Sequence, residues 1–456
     1  MVHRAVSSGQ RSRTVSHNSA VPYTPKPFVE IRHPEWCKSA TIYQINTRAF
    51  TAEGTFTAAM EHLPRLRDLG ADILWLMPVN RIGQKNRKGS LGSPYAVADY
   101  YSVNPEFGSP DDLKAFVNAA HELGMKVIVD WVPNHTAWDS NLVDEHPDWY
   151  IKDWKGDFRP TAWWDWDDII ELDYSNPELR EYMTAAMVHW VREFDIDGYR
   201  CDVAGFLPTD FWERVRHELD QVKPVFMLAE WESKDLHRAS FDMTYSWSWY
   251  GAVHDICMGR ADLNALFNWF SWNEKHWPDD AVRMLFVSNH DKNAWEGTEF
   301  ENFGAGLRNA IILSVLAEGM PLIYNGQEAG FDHRLAFFDK DQIVWREHEH
   351  GQLYRDLFAL KHANSALWNG AWGGRTQRVR NDQPLQVLSF TRRKDADGIF
   401  AVFNFSGREQ AVTMLEESFH GSYQDFFTGA YVTLGAGSET FDLAPWNCRV
   451  FVQTNR

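Results

Sequence analysis

Short hydrophobic runs alternate along the chain with longer stretches in which apolar residues recur every third or fourth position. The short runs, such as Lys126–Asp130 and Met320–Tyr324, are rich in Val, Ile and Leu, as is typical of parallel strands buried on both faces. The longer stretches, such as Pro110–Leu123 and Pro177–Phe194, have the period of amphipathic helices. This alternation predicts βα units that form a parallel sheet covered by helices.

Eight βα units can be placed along the chain, which predicts an α/β fold with a closed (β/α)8 TIM barrel. The predicted strands are Thr41–Ile45, Ile73–Pro78, Lys126–Asp130, Gly198–Asp202, Val225–Glu230, Phe241–Tyr245, Met284–Asn289 and Met320–Tyr324. The first strand is followed by a single predicted helix over Phe56–Leu69.

Two regions depart from this alternation. A stretch rich in Trp and Asp between His135 and Asp173 predicts an insertion after the third strand, and loops of this length in compact domains are usually functional. From about Gln377, short alternating runs predict an antiparallel β-sandwich. The predicted domains are a disordered leader (1–35), the barrel (36–135 and 174–375), the insertion (136–173) and the C-terminal β-sandwich (376–456).

Composition narrows the class of partner. The 63 acidic residues outnumber the 45 basic ones, which argues against a nucleic acid or an anionic membrane and favours a neutral substrate. No apolar stretch approaches the roughly 20 residues that a transmembrane helix needs. The segment Met1–Pro27 lacks the apolar core of a secretory signal, so it predicts a disordered leader and a cytoplasmic protein.

Charged and polar residues stand at the ends of four predicted strands. The four segments are Asp130–His135, Gly198–Asp202, Leu228–Glu230 and Val287–Asp291. Because catalytic groups of a (β/α)8 barrel come from the C-terminal ends of different strands, these segments are expected to converge on one pocket. Three carboxylates, an arginine and two histidines would meet there, which is the equipment for cleaving a glycosidic bond.

Cleavage of an acetal needs one carboxylic acid to protonate the leaving oxygen and one carboxylate to attack. Asp202 and Glu230 can supply the two, and retention of configuration predicts a separation of about 5 to 5.5 Å between their carboxyl groups. Arg200 lies on the same strand face as Asp202 and is expected to keep that carboxylate ionised. Glu230 needs a raised pKa to act as the acid. The remaining groups are expected to bind sugar hydroxyls: Asp291, His135 and His290.

The four segments, in this order, resemble the motifs of the α-amylase family of glycoside hydrolases, family 13. Gly319–Glu328 resembles the strand-eight motif of that family. The resemblance implies retaining hydrolysis of α-glucosidic bonds through a covalent glycosyl-enzyme, with Asp202 as nucleophile, Glu230 as general acid/base and Asp291 as transition-state stabiliser. Tyr95 would be the aromatic platform beneath the sugar. Domain B would be the insertion after strand three.

The resemblance also implies candidate partners. The substrates would be α-1,4-linked gluco-oligosaccharides or starch, with α-1,6 bonds as an option, since Val203 after Asp202 is a choice seen in relatives that cleave them. No cofactor would be required. A calcium ion would be held by Asn134 with loop carboxylates, for which the candidates are Asp165, Asp167 and Asp168.

Some features leave the function open. Many α-amylases have Lys-His shortly after the nucleophile, where this chain has Gly205-Phe206, so contacts on the leaving-group side differ. Trp163, Trp164 and Trp166 in the insertion are candidates for sugar stacking. A transglycosylase or trehalose-type isomerase would use the same chemistry, and a catalytically inactive carbohydrate-binding barrel would keep the fold alone.

Overall fold

The computed structural model describes residues 26–435 and 440–454. Eight parallel strands close into a barrel, in which each strand pairs with the next along the chain and the eighth pairs with the first. The barrel strands, numbered one to eight here, are Ile42–Ile45, Ile73–Leu76, Lys126–Trp131, Gly198–Cys201, Phe226–Ala229, Met243–Tyr245, Val282–Phe286 and Met320–Tyr324. The predicted (β/α)8 barrel is therefore confirmed.

Helices surround the barrel. Their bounds are Thr47–Phe50, Phe56–Met60, Leu63–Leu69, Pro110–Glu122, Asn141–Glu145, Pro177–Phe194, Thr209–Asp220, Trp247–Cys257, Asn264–His276, Glu299–Phe303, Leu307–Leu316 and Glu349–Ala363. The single helix predicted over 56–69 is two helices, because Pro64 stands in the first turn of the second one. A proline has no N–H to continue a helix and favours such a first turn.

The insertion after strand three is anchored by a short antiparallel ladder. His135–Ala137 pairs with Ile169–Glu171, and the hydroxyl of Tyr100 donates to the carbonyls of Val132 and His135 beneath that ladder. The hairpin Asn80–Ile82 with Val97–Val103 lies between strands two and three and supplies Tyr100. The insertion therefore leaves and rejoins the barrel at its C-terminal mouth.

The C-terminal region is antiparallel. Six strands form one sheet and two form another, and the two sheets share an apolar core that includes Phe400, Phe451, Val412 and Phe441. The strands are Thr376–Arg378, Val387–Lys394, Asp397–Asn404, Gln410–Thr413, Gly421–Asp425, Tyr431–Leu434, Thr440–Leu443 and Cys448–Gln453. This arrangement is the predicted β-sandwich.

The predicted leader differs from the structure at its C-terminal end. Residues 1–25 lie outside the described residues, but residues 26–35 contact the barrel. His33 Nδ1 lies 2.6 Å from the carboxylate of Asp242, and the Glu30 amide donates to the carbonyl of Arg238 at 2.7 Å. A buried carboxylate at the base of the barrel thus fixes a segment that composition alone assigned to the leader.

Gly198 opens the strand that carries Arg200 and Asp202. Its φ is +148°, and a Cβ there would lie 1.9 Å from the carbonyl oxygen of Phe226 on the neighbouring strand. We expect Gly198→Ala to destabilise the protein by about 3 kcal/mol, since the backbone conformation and the clash each cost about 1 to 3 kcal/mol. Urea denaturation measures this loss.

A matched control is Gly251→Ala, in a helix where an added Cβ meets nothing within 4 Å. This second variant should unfold at the wild-type urea concentration or slightly above it, because alanine is the better helix former. Equal midpoints for the two variants would contradict the account of Gly198.

Candidate active site

One buried guanidinium organises the mouth of the barrel. Arg200 Nη1 donates to Asp130 Oδ1 at 2.7 Å and to Asp202 Oδ1 at 2.8 Å, and Nη2 lies 3.0 Å from Glu230 Oε2. Strands three, four and five are neighbours, and Asp130 is level with Arg200 in the register. The sequence-predicted Arg200, Asp202 and Glu230 are therefore brought together around one positive charge.

Asp130 is a site residue that the sequence did not identify. Its carboxylate is fully buried and accepts from Arg200, from the Tyr95 hydroxyl at 3.0 Å and from Trp75 Nε1 at 3.2 Å. A single Asp at a strand end is a common structural feature. The available signal was its place three residues before Pro133 in the segment Asp130–His135, at the level of the other strand-end groups.

A hydrogen-bonded chain runs from strand one across the pocket to Asp130. Gln44 Nε2 lies 2.7 Å from His290 Nδ1, and His290 Nε2 lies 2.7 Å from the Tyr95 hydroxyl. The Gln44 amide oxygen accepts from the His290 backbone N–H at 3.3 Å, so its amide nitrogen faces the ring. Nδ1 is then the acceptor and Nε2 the donor, which leaves the Tyr95 hydroxyl to donate to Asp130.

Both predicted sugar-binding histidines are uncharged near neutral pH. Burial lowers the pKa of His290 to about 4, and burial likewise lowers the pKa of His135 to about 4. Neutral imidazoles can donate and accept at the same time, which suits contact with sugar hydroxyls. His135 lies on the opposite side of the mouth from His290, with its ring 5.8 Å from that of Trp166.

Burial controls the acid–base properties of the carboxylates. The pKa of Glu230 is raised to about 8, because burial and the charge of Asp202 raise it by more than Arg200 lowers it. Burial also raises the pKa of Asp202 to about 7, although Arg200 lowers it. Arg200 thus favours the ionised form of Asp202 while burial opposes it, and three buried carboxyl groups share this one cation.

Asp291 is the most accessible of the predicted catalytic groups. Its side chain is 40% exposed and faces the cavity from the loop after strand seven, with Oδ2 3.3 Å from His290 Nε2. A π-helical turn over Lys292–Glu296 follows directly. Such turns are rare and occur often at functional sites. The side chain is thus free to accept hydrogen bonds from a bound sugar.

The cavity around these groups has a volume of about 380 Å³ and two aromatic sides. One side, called the rear group here, consists of Tyr95, His290, Trp295, Phe337 and Phe338. The other, called the front group, consists of Trp164, Trp166, Phe206, Trp231 and Trp247. Of the tryptophans predicted for stacking, Trp163 is instead fully exposed outside the cavity.

Gly205 determines the position of the front group. A Cβ at Gly205 would lie 2.2 Å from the Trp231 ring, so the indole packs directly on the backbone there. Phe206 packs edge-on against the same ring at 5.2 Å between centroids. At Gly205-Phe206 this chain therefore presents apolar ring faces to the cavity.

Val203 joins the nucleophile strand to the proposed acid. Its φ is +37°, in the left-handed region, which is a strained conformation for a β-branched residue. In that conformation its backbone N–H donates to Glu230 Oε2 at 2.8 Å.

The residues around Asn134 do not fit a calcium ion. Its side-chain nitrogen donates to Thr161 Oγ1 at 3.0 Å. The predicted partner carboxylates of Asp167 and Asp168 lie 2.9 and 3.3 Å from Lys88 Nζ, which supplies a positive charge where calcium would. Within residues 26–435 and 440–454, no cluster of three or more His, Cys, Asp or Glu could hold a metal. The predicted calcium site at Asn134 is therefore not supported by its donor set.

The barrel and this carboxylate site together define a glycoside hydrolase. The profile of the alpha-amylase catalytic domain matches residues 24–366. The chain belongs to the alpha-amylase family, as the sequence motifs predicted.

Individual relatives agree with this assignment. A crystal structure of an alpha-amylase from Lactobacillus plantarum matches with 31% identity and a TM-score of 0.82, covering 92% of this chain and 100% of that one. A noncanonic maltogenic alpha-amylase from Thermotoga neapolitana matches with 32% identity and a TM-score of 0.84, over the same fractions of the two chains.

Among curated proteins, an alpha-amylase from Haloarcula japonica is 28% identical over 420 residues. That alignment covers 87% of this chain and 59% of the relative, so the chain spans less than two thirds of its length. In the part of the chain that the structure describes, no helix has the length and apolarity needed to cross a membrane.

Proposed function

We propose that the protein is a retaining glycosidase that cleaves α-glucosidic bonds in gluco-oligosaccharides and starch fragments. The observation that carries the proposal is that Asp202 and Glu230 contact two nitrogens of the same guanidinium. Carboxyl groups that share one guanidinium are held near one another, whereas an inverting enzyme needs a wider separation to seat a water molecule beside the sugar. Closely spaced carboxylates favour direct attack and a covalent intermediate.

Each sequence-predicted residue then has a role. Asp202 attacks the anomeric carbon, and Glu230 protonates the leaving oxygen and later deprotonates water. Asp291 accepts hydrogen bonds from sugar hydroxyls as positive charge develops on the ring, and such bonds strengthen in the transition state. Tyr95 supplies a flat face beneath the sugar, flanked by His135 and His290.

The substrate class follows from the relatives and the cavity. Relatives are named alpha-amylase, cyclomaltodextrinase and intracellular maltogenic amylase, which supports α-1,4-linked glucans as substrates and a cytoplasmic location. The site residues carry the chemistry without a cofactor. A transglycosylase is the second candidate, since the apolar front group would bind a sugar acceptor better than it orders water.

Proton NMR tests this proposal directly. Purified protein is incubated with maltotriose, isomaltose, trehalose, sucrose and soluble starch, and the anomer released first is recorded. Retention predicts an initial α-anomer, and hydrolysis predicts glucose or short oligosaccharides rather than longer transfer products. An initial β-anomer would exclude the retaining mechanism, and longer products would favour the transglycosylase.

The pKa values predict a bell-shaped dependence of kcat/KM on pH. Asp202 must be ionised to attack, so activity should fall as the pH drops below about 7. Glu230 must be protonated, so activity should also fall as the pH rises above about 8. Initial rates across the pH range measure both limbs. The residual activity of Glu230→Gln should no longer fall at alkaline pH. If the alkaline decrease persists in this variant, Glu230 is not the acid.

A further inference from the structure

Three loops meet on one side of the cavity, at Lys88. Its ammonium group lies 2.9 Å from Asp167 and 3.3 Å from Asp168, and it donates to the Asp165 carbonyl at 2.9 Å. The same ammonium lies 5.9 Å from the centroid of Phe338. Lys88 thus links the loop after strand two, the insertion after strand three and the loop after strand eight.

Backbone hydrogen bonds join the first and last of these loops. The amides of Leu91 and Gly92 donate to the Phe338 carbonyl at 2.9 and 3.2 Å, and the Ser90 amide donates to Asp339 at 2.7 Å. Gly89 permits this approach, because a Cβ there would lie 2.5 Å from the Phe338 Cβ. Residues 88–92 and 337–340 are called the rear wall below; the rear wall shares Phe337 and Phe338 with the rear group.

The rear wall lies across the barrel mouth from the proposed acid. It is built on the loops after strands two and eight, whereas Phe206, Trp231 and Trp247 follow strands four, five and six. In a ring of eight strands these two sets are opposite one another. Because Glu230 on strand five protonates the leaving oxygen, the reducing-end part of the substrate leaves over the front group. The non-reducing part must then face the rear wall.

The rear wall begins close to the reacting sugar. Phe337 stacks on Tyr95 with 6.0 Å between centroids and 13° between planes, and Trp295 packs on Phe337 at 5.1 Å. The whole cavity, at about 380 Å³, is at the small end of the range for ligand sites.

We propose that the rear wall makes the protein an exo-acting glycosidase that accepts α-glucans only by their free non-reducing ends. This proposal rests on the proposed function and adds the mode of attack to it. Hydroxyls of the terminal glucose would face Lys88 and Asp168 at the junction of the three loops. Glucose units in the interior of an α-glucan would collide with Phe338.

The test uses two versions of p-nitrophenyl maltoheptaoside, one with a free non-reducing end and one blocked there by a 4,6-O-ethylidene group. The rate is the consumption of the intact heptaoside. Misfit at the rear wall should lower kcat/KM for the blocked substrate by about 100-fold. Equal rates on the two substrates would overturn the exo assignment while the glycosidase function stands. Cleavage of neither would reject the proposed function, and the exo assignment with it.

Phe338→Ala probes the wall itself, since it removes the ring and keeps the backbone carbonyl that joins the loops. The ratio of free-end to blocked-end rates should narrow about tenfold, as expected when a pocket wall is cut back. Phe427→Ala, a partly exposed phenylalanine of the C-terminal domain, is the matched control and should keep the wild-type ratio. Partial unfolding would lower both rates alike, so it cannot narrow their ratio. An unchanged ratio in Phe338→Ala would overturn the role of the wall.

Discussion

Asp202→Asn should abolish turnover of α-glucosides, with kcat falling by about 10⁴-fold or more, as for other residues that act as one catalytic unit. An amide is a poor nucleophile, so the covalent intermediate cannot form. The protein should remain folded, because Arg200 keeps its contacts with Asp130 and Glu230. Steady-state rates on the substrate identified by NMR measure the loss.

Stability is the second measurement for this variant. Replacing Asp202 removes one of three carboxyl groups crowded around one guanidinium, so the melting temperature should stay the same or rise. The matched control is Asp210→Asn, whose side chain is 71% exposed and lies outside the cavity, and which should keep wild-type activity. Near-normal turnover by Asp202→Asn would reject the nucleophile assignment.

Glu230→Gln should lower kcat on ordinary α-glucosides by about 10²- to 10⁴-fold, the range expected for loss of a general acid. The loss should be smaller for α-glucosyl fluoride, because fluoride leaves without a proton. With that substrate the second step becomes limiting, since Glu230 also deprotonates the attacking water. The glycosyl-enzyme should then accumulate, and mass spectrometry of the quenched protein should detect the added glucosyl group on Asp202.

Azide distinguishes the two carboxylates. It attacks the intermediate without help from a base, so it should speed the turnover of α-glucosyl fluoride by Glu230→Gln and yield an α-glucosyl azide. Asp202→Asn forms no intermediate and should gain nothing from azide. Glu274→Gln, with a side chain 58% exposed on the outer helix Asn264–His276, should behave like the wild type. A β-glucosyl azide from Glu230→Gln would contradict retention.

Much of the fold and the central residues of the site could be predicted from the sequence. Buried parallel strands leave an apolar pattern, and their C-terminal ends mark Arg200, Asp202, Glu230 and Asp291 in order. The exact helix boundaries could not be predicted in the same way. The first helix breaks at Pro64, where local backbone chemistry outweighs an unbroken apolar period.

The rear wall and the role of Asp130 within its strand-end segment could not be predicted, for a different reason. Ser90 and Asp339 are separated by 249 positions and lie in loops without periodicity, so only the closed barrel brings them together. Asp130 is recognisable only once Arg200 and Tyr95 are seen to share it. Loops built on a barrel carry information about specificity that local patterns do not contain.

At Val203 a strained left-handed backbone and a hydrogen bond to the proposed acid depend on the same peptide unit. A glycine would adopt its left-handed backbone without penalty, yet a flexible residue would hold the amide less firmly against Glu230. The branched side chain raises the energy of the folded chain and restricts the backbone that places this N–H 2.8 Å from Glu230 Oε2. Engineering for heat tolerance would therefore meet a trade-off at this residue, since relief of backbone strain there would loosen the acid that cleaves the bond.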